Sequence, residues 1–428
     1  MVLSENDKKD LENCLSTSKN FFIFTTGRAG SDFLQSCFDN HEEVASTSEK
    51  CTYLSSFIKK NKVLLPKSIT LFAALSTSEL YNSFAPYVDH IENWVINEND
   101  DYRKAKVSRF IEAMTYLLNL KKNDYTYLTI TRIIILSFSF SLKKNIKKIK
   151  TILIHLHNIN QLPFFQKDFN KSDLIVVCSR SPYDLVASGV FHWRKYWIKN
   201  KQYSYYLNHM QYRYTLRRTL FDFLEIKKIY NIPEPLPYIT ILEKLSDLDY
   251  LNKINKYLLI KPFSVYPNST VLGKKWGGDL LSTDNKISPS GTYDPNLVKR
   301  GNPIERLGLV DSILITLICK ERLENYEFKT GSQFLKQIKN TNTFLRLLFF
   351  LVLLPFPSKI ELLHYSKIIE IFIKIILCKK LYKIEKVSQI GYSIFCVLMM
   401  PIEYVRMRIF RISALFWHLK SPKFLEEL

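Results

Sequence analysis

Residues 21–26, Phe-Phe-Ile-Phe-Thr-Thr, form a continuous apolar run that ends in Gly27-Arg28-Ala29-Gly30-Ser31. A strand exposed on one face alternates apolar and polar residues, whereas a strand buried on both faces does not. The run therefore predicts a central strand of a parallel sheet with helices on either side. The small residues after it predict a tight loop, and Asp32–Asp39 then place Phe33, Leu34, Cys37 and Phe38 on one helical face. The expected unit is strand, small-residue loop, helix.

Further apolar runs at Thr151–Leu156 and Leu174–Cys178, with a weaker one at Tyr238–Leu242, read as additional strands. Strands separated by helical stretches predict an α/β fold with a parallel sheet. Between Cys51 and Lys150 the pattern is helical, as in Val107–Leu120, where Phe110, Ala113, Leu117 and Leu118 recur at helical spacing. Residues 52–150 read as a helical insertion beside the sheet, which either shapes an acceptor pocket or simply packs. From about Leu335 the texture changes to apolar runs at Leu347–Leu354, Ile368–Cys378 and Ile390–Met400, flanked by Lys and Arg. None reaches the roughly 18 uninterrupted apolar residues that cross a bilayer. They predict amphipathic helices that lie on a membrane surface or cap a core.

The chain has 428 residues, enough for one large α/β domain and an appended region. It carries 61 Lys and Arg against 40 Asp and Glu, a net charge of +21. An anionic partner would account for this excess, and so would a compositional bias towards Lys, Ile and Asn. The basic residues are scattered and no nucleic-acid-binding motif is present, so nucleic acid is not expected as a partner. Seven dispersed cysteines without a CxxC pair predict a reduced, intracellular protein. The polar amino terminus carries no secretory pattern, so a cytoplasmic location is expected, peripheral at a membrane if the basic apolar region binds one.

The loop from Gly27 to Ser31 has the composition of an anion site, because small residues let backbone N–H groups approach an anion at a helix start. It is not the ATP-type phosphate loop, since Ser31 rather than Lys follows Gly30. Its cation is Arg28, inside the loop. A second piece, Val176-Val177-Cys178-Ser179-Arg180-Ser181-Pro182-Tyr183-Asp184, places an Arg at a strand end, with Ser188 eight residues on. The planar Arg fork suits bidentate phosphate binding.

Together the two pieces resemble the sulfotransferases that use 3′-phosphoadenosine 5′-phosphosulfate (PAPS). The resemblance covers residues 20–330 and extends to Phe33-Leu34-Gln35-Ser36, Asp39-Asn40-His41 and Gly273-Lys274-Lys275-Trp276-Gly277-Gly278-Asp279 with Ser282. It implies a P-loop-like sulfotransferase core at 15–332 that includes the helical insertion, followed by a basic, apolar helical region at 333–428. It also implies that Gly27, Arg28, Ala29, Gly30, Ser31, Asp32 and Phe33 hold the 5′-phosphosulfate, and that Arg180 and Ser188 hold the 3′-phosphate. Many members have Thr where this chain has Asp32, so Asp32 is expected to contribute its backbone only. Lys299-Arg300 is a basic pair that either closes over the 3′-phosphate or is solvated.

An acceptor hydroxyl or amine needs a base. His155 and His157 alternate onto one face near the end of a strand, and ligands of α/β sheets bind at that end. The cytosolic-type members resemble this arrangement, with His as base; His157 precedes Arg180 by 23 residues and is preferred, leaving His155 as a donor to a sulfuryl oxygen when protonated. The tyrosylprotein-type members resemble a second arrangement, which makes Glu49, 21 residues after Arg28, the alternative base. No metal is expected. The acceptor, a small molecule, glycan, lipid or glycolipid, is left open. The alternatives are a nucleotide-dependent kinase with a divergent phosphate loop and a non-catalytic membrane-surface protein on the same fold.

Overall fold

A computed structural model describes residues 3–25, 29–47, 107–121, 126–156, 165–189, 235, 237–271, 274–275, 302–319, 323, 333–340, 342, 344–345, 348, 351–352, 354–377, 383–415 and 423–424. The chain forms two units. The first comprises Met1–Ser179, Lys228–Val298 and Pro422–Leu428, and the second Arg180–Lys227 and Lys299–Ser421. The division therefore falls at the end of a strand, and residues 180–227 group with the carboxyl-terminal helices.

The first unit is built on a parallel sheet with helices, the expected α/β class. Its strands are β1 (Lys19–Thr25), β2 (Val44–Ala45), β3 (Thr151–Leu156), β4 (Leu174–Ser179) and β5 (Tyr238–Ile241), in the order β2-β3-β1-β4-β5. A two-residue strand, Lys423–Phe424, extends the β5 edge, again in parallel. The central strands β3 and β4 are buried at every position, and β1 from Asn20 on. Continuous burial on both faces is why these runs lack alternation.

Helix α1 (Glu5–Thr17) precedes the sheet and starts from a capping box in which Ser4 and Asp7 bond each other's backbone N–H. Helix α2 (Ser31–Phe38) follows β1. On its side of the sheet Phe21 meets Phe38 edge-on at 5.3 Å. On the other side Phe22 packs against Phe165 and Phe169 at 6.0 and 4.8 Å. The described part of the insertion is a pair of packed helices, α3 (Val107–Leu120) and α4 (Tyr127–Ser141).

Buried polar side chains tie these pieces to the sheet. Arg132 of α4 donates to the Asn20 side chain at 2.9 Å and to the carbonyls of Leu15 and Ser18. Asn20 in turn donates to Asp173 at 2.9 Å. Lys144 donates to the carbonyls of Asp39 and Val44 at 2.7 and 2.6 Å, and burial holds its pKa below the ordinary value. A charge so placed is tolerated because several of its donors have an oxygen to meet. Helix α5 (Leu248–Leu258) closes this part of the unit, followed by the short antiparallel pair Thr270–Val271 and Lys274–Lys275.

The second unit is helical where described. It includes helical residues 182–189, α6 (Pro303–Leu307), α7 (Leu309–Ile318), α8 (Gln333–Asn340), α9 (Lys359–Leu377) and α10 (Lys383–Leu415). Helix α7 is buried almost throughout and packs against α6, α8 and α10. Arg411 of α10, fully buried, bonds Asp311 of α7 at 2.8 Å and Glu361 of α9 at 2.8 Å, and Arg408 Nη1 reaches both Glu361 carboxylate oxygens at 3.1 Å. Because residues near the start of α9 meet residues near the end of α10, the two helices run antiparallel. Among the described residues no helix is long and apolar enough to cross a membrane.

Candidate functional site

The order β2-β3-β1-β4-β5 sends the chain in opposite directions from two neighbouring strands. The connection from β1 leads to β2 at one edge, and the connection from β4 leads to β5 on the other side. In an open parallel sheet, ligands bind beyond the carboxyl ends of the strands at such a reversal. The two ends lie side by side, with Thr25 of β1 paired to Cys178 of β4. In the chain the first loop follows Thr25, and Arg180, the first residue of the second unit, follows Ser179.

The described end of the first loop fits its expected geometry. Ala29 and Ser31 are buried, and Gly30 has φ +87° as the residue before α2. A Cβ at Gly30 would overlap the Leu242 side chain, with Cγ at 3.1 Å and Cβ at 3.2 Å. Left-handed backbone and close approach thus both require glycine. No side chain caps α2, and Asp32 lies in its first turn. Gly30→Val is expected to cost about 2–4 kcal/mol, from the strained backbone plus overpacking. A thermal melt in which this variant matches wild type would contradict that geometry.

Helix α2 covers the face that carries His155. The His155 ring is buried and its Nδ1 lies 2.5 Å from Gln35 Oε1, while Gln35 Nε2 donates to the Thr47 carbonyl. Because the Gln35 amide nitrogen is committed as donor, its oxygen accepts, and His155 carries its proton on Nδ1. In the neutral ring the lone pair is then on Nε2. The Asp32 carboxylate is half-exposed, and its Oδ1 lies 4.0 Å from His155 Nδ1. Asp32 therefore brings its side chain as well as its backbone to this end of the sheet. Its charge, together with the larger effect of burial, pushes the Cys178 thiol far above its usual range.

Register defines the rest of this face. Thr25 pairs with Cys178 and Cys178 with Thr240, and paired residues of parallel strands share a face. The last described row across β1, β4 and β5 is therefore small and polar. Thr240 Oγ1, and Ser179 Oγ on the opposite face, are buried without a hydrogen-bond partner among the described residues.

In the second unit Arg180, Ser181 and Ser188 are buried. Tyr183, between them, is hydrogen-bonded to Thr316 of α7 at 2.8 Å, and burial pushes its phenol above the usual range. Asp184 pairs with Arg306 of α6. The segment carrying Arg180 and Ser188 is thus anchored within its own unit by the Tyr and Asp that follow the Arg.

Gly27, Arg28, Glu49, His157, Gly273, Trp276 to Asp279, Ser282, Lys299 and Arg300 lie outside the described residues. The contacts of Gln35, Thr47, Thr240 and Leu242 emerge only from the structure. For Gln35 a signal existed, because Ser31, Gln35 and Asp39 recur every four residues along the helix and its C-cap. Asp39 is itself engaged, accepting from Ser46 and Thr270. Among the described residues no three His, Cys, Asp or Glu side chains gather as a metal site would require. Comparison with protein families, curated proteins and solved structures finds nothing that matches the chain.

Proposed function

We propose that the protein is a sulfotransferase that takes its sulfuryl group from PAPS. One observation carries the reading. The two loops whose residues resemble a 5′-phosphosulfate site and a 3′-phosphate site start from the ends of paired strands, Thr25 beside Cys178, at the sheet's reversal point. A donor with phosphates at both ends of its ribose needs two such loops, whereas ATP needs one.

In this reading the backbone from Ala29 to Phe33 and the Arg28 guanidinium bind the 5′-phosphosulfate, and Arg180 and Ser188 bind the 3′-phosphate. The acceptor oxygen or nitrogen attacks sulfur in line. A bond from it to sulfur forms as the bond from sulfur to the 5′-phosphate oxygen breaks, and adenosine 3′,5′-diphosphate leaves with the electron pair. The acceptor's proton passes to His157 or, alternatively, Glu49. His155, whose Nδ1 is taken by Gln35, donates to a sulfuryl oxygen through Nε2 only in its protonated form. As in phosphoryl transfer, most of the rate comes from placement and charge stabilisation.

Release of adenosine 3′,5′-diphosphate from PAPS, followed with a panel of hydroxyl and amine acceptors, tests this account. Loss of the base is expected to cut turnover by about 10²–10⁴. His157→Ala should show that loss and Glu49→Ala should not. The reverse result moves the base to Glu49, and undiminished turnover in both variants removes both.

A further inference from the structure

Helix α10 is built inside out for a water-soluble surface. Its charged Arg408 and Arg411 face inward onto Asp311 and Glu361, and Arg408 also stacks on Tyr404 at 4.0 Å. Six aliphatic residues face outward, while Met407 and Phe410 are buried beside the arginines. Ile394, Leu398, Ile402, Val405, Ile409 and Ile412 are 39–69% exposed and follow one another at spacings of three or four, a continuous stripe along the helix. Helix α9 carries a matching stripe of Leu362, Ile369, Ile373 and Ile376, 44–54% exposed, and the preceding helical stretch exposes Phe344, Leu348 and Val352. Scattered exposed aliphatics are ordinary, but stripes on consecutive elements are not.

Rolling the helix over to bury this stripe is opposed by its ion pairs. Half a turn would bring Arg408 and Arg411 into solvent and take these cations away from the buried Asp311 and Glu361 carboxylates, a loss of about 3–5 kcal/mol for a broken buried pair. The ion pairs therefore fix the rotation of α10 and hold its apolar side out.

We propose that this face docks in the plane of an anionic lipid bilayer. Charge selects the occupant. Residues 333–421 contain fourteen Lys and Arg against four Glu, and Lys379, Lys380, Lys383 and Lys386 lie in sequence around the junction of the two striped helices. Anionic headgroups attract such a region, whereas a second copy of the same region repels it. The stripes hold Ile, Leu and Val rather than the Tyr, Trp and Arg that anchor protein interfaces. Glu403, Arg406, Arg408 and Arg411 interrupt α10, so the helix lies along the surface and does not cross it. The proposal does not depend on the sulfotransferase reading.

Co-sedimentation of the full chain with sucrose-loaded vesicles tests it. Vesicles of phosphatidylcholine with about one-third phosphatidylserine should bind the protein at least about tenfold better than phosphatidylcholine alone, with binding weakened by salt. Combined Leu398→Gln, Ile402→Gln and Val405→Gln should reduce binding at least about tenfold while circular dichroism keeps its helical signal. Sedimentation with neither vesicle, equal sedimentation with both, or binding unchanged in the triple variant would each overturn the proposal. So would light scattering that shows a dimer in vesicle-free buffer which the triple variant converts to a monomer, because the face would then belong to a protein interface.

Discussion

Arg411→Ala is expected to destabilise the second unit by about 3–5 kcal/mol. The guanidinium is fully buried and divides its donors between Asp311 on α7 and Glu361 on α9, so one truncation leaves two carboxylates underneutralised. Glu361 has a second task, because with Ser358 it forms the capping box that starts α9, through bonds of 2.8 and 3.2 Å. Loss of Arg411 is therefore felt in three helices together. Denaturant unfolding followed by circular dichroism should show an early transition in the variant. A midpoint within that expected of an exposed site, about 0.5 kcal/mol of change, would show that the cluster does not hold α10 in place.

Acidification should reach the same cluster without mutation. Burial alone would raise the Glu361 carboxyl, but Arg411, the Ser358 N–H and Arg408 outweigh it and hold it below its ordinary 4.5. A carboxyl depressed in the folded state contributes stability that is present above the unfolded pKa and lost as pH falls through the folded one. The gap between wild type and Arg411→Ala should therefore be widest above about pH 4.5 and narrow below it. A gap that stays constant through that range would place the stabilisation elsewhere.

Arg180→Ala carries the second large effect, on ligand rather than fold. If Arg180 forks onto a 3′-phosphate, its removal takes away charge-assisted hydrogen bonds worth about 1.5–3 kcal/mol. Affinity for adenosine 3′,5′-diphosphate should then fall about 10- to 100-fold. Affinity for 5′-AMP, which lacks that phosphate, should not change, and this comparison also shows whether the variant is folded. Arg180→Lys should recover part of the loss, since it restores the charge but not the planar fork. Equal loss for both nucleotides would make Arg180 a structural residue.

Much of the first unit was legible because buried parallel strands leave uninterrupted apolar runs, and Thr151–Leu156 occurs as read. Helix Val107–Leu120 was equally plain from its spacing. Helix α1 was not, because its face is largely polar and its one signal is the Ser4–Asp7 cap. Strand β2 is too short to leave a pattern, and the return of Lys423–Phe424 to the sheet edge is a long-range event with no local signature. The same limit hid the buried ions: Arg132 meets Asn20 across 112 positions and Arg411 meets Asp311 across 100. In the carboxyl-terminal region the amphipathic pattern was readable, but not which side faced inward. Hydropathy would bury Ile394, Ile402, Ile409 and Ile412 of α10, whereas they are exposed and Arg408 and Arg411 are buried beside Met407 and Phe410. At the site, Gly30 was foreseeable from turn chemistry, while the lock on His155 required knowing that Gln35 and Thr47 would meet it.

The claim that the donor is PAPS rests on a second phosphate subsite, and calorimetric titration of the wild-type protein addresses that subsite directly. Adenosine 3′,5′-diphosphate is predicted to bind at least about tenfold more tightly than either 5′-AMP or ATP, the margin one charge-assisted phosphate contact supplies. Equal affinity for all three, tighter binding of ATP, or no binding of adenosine 3′,5′-diphosphate would contradict the assignment.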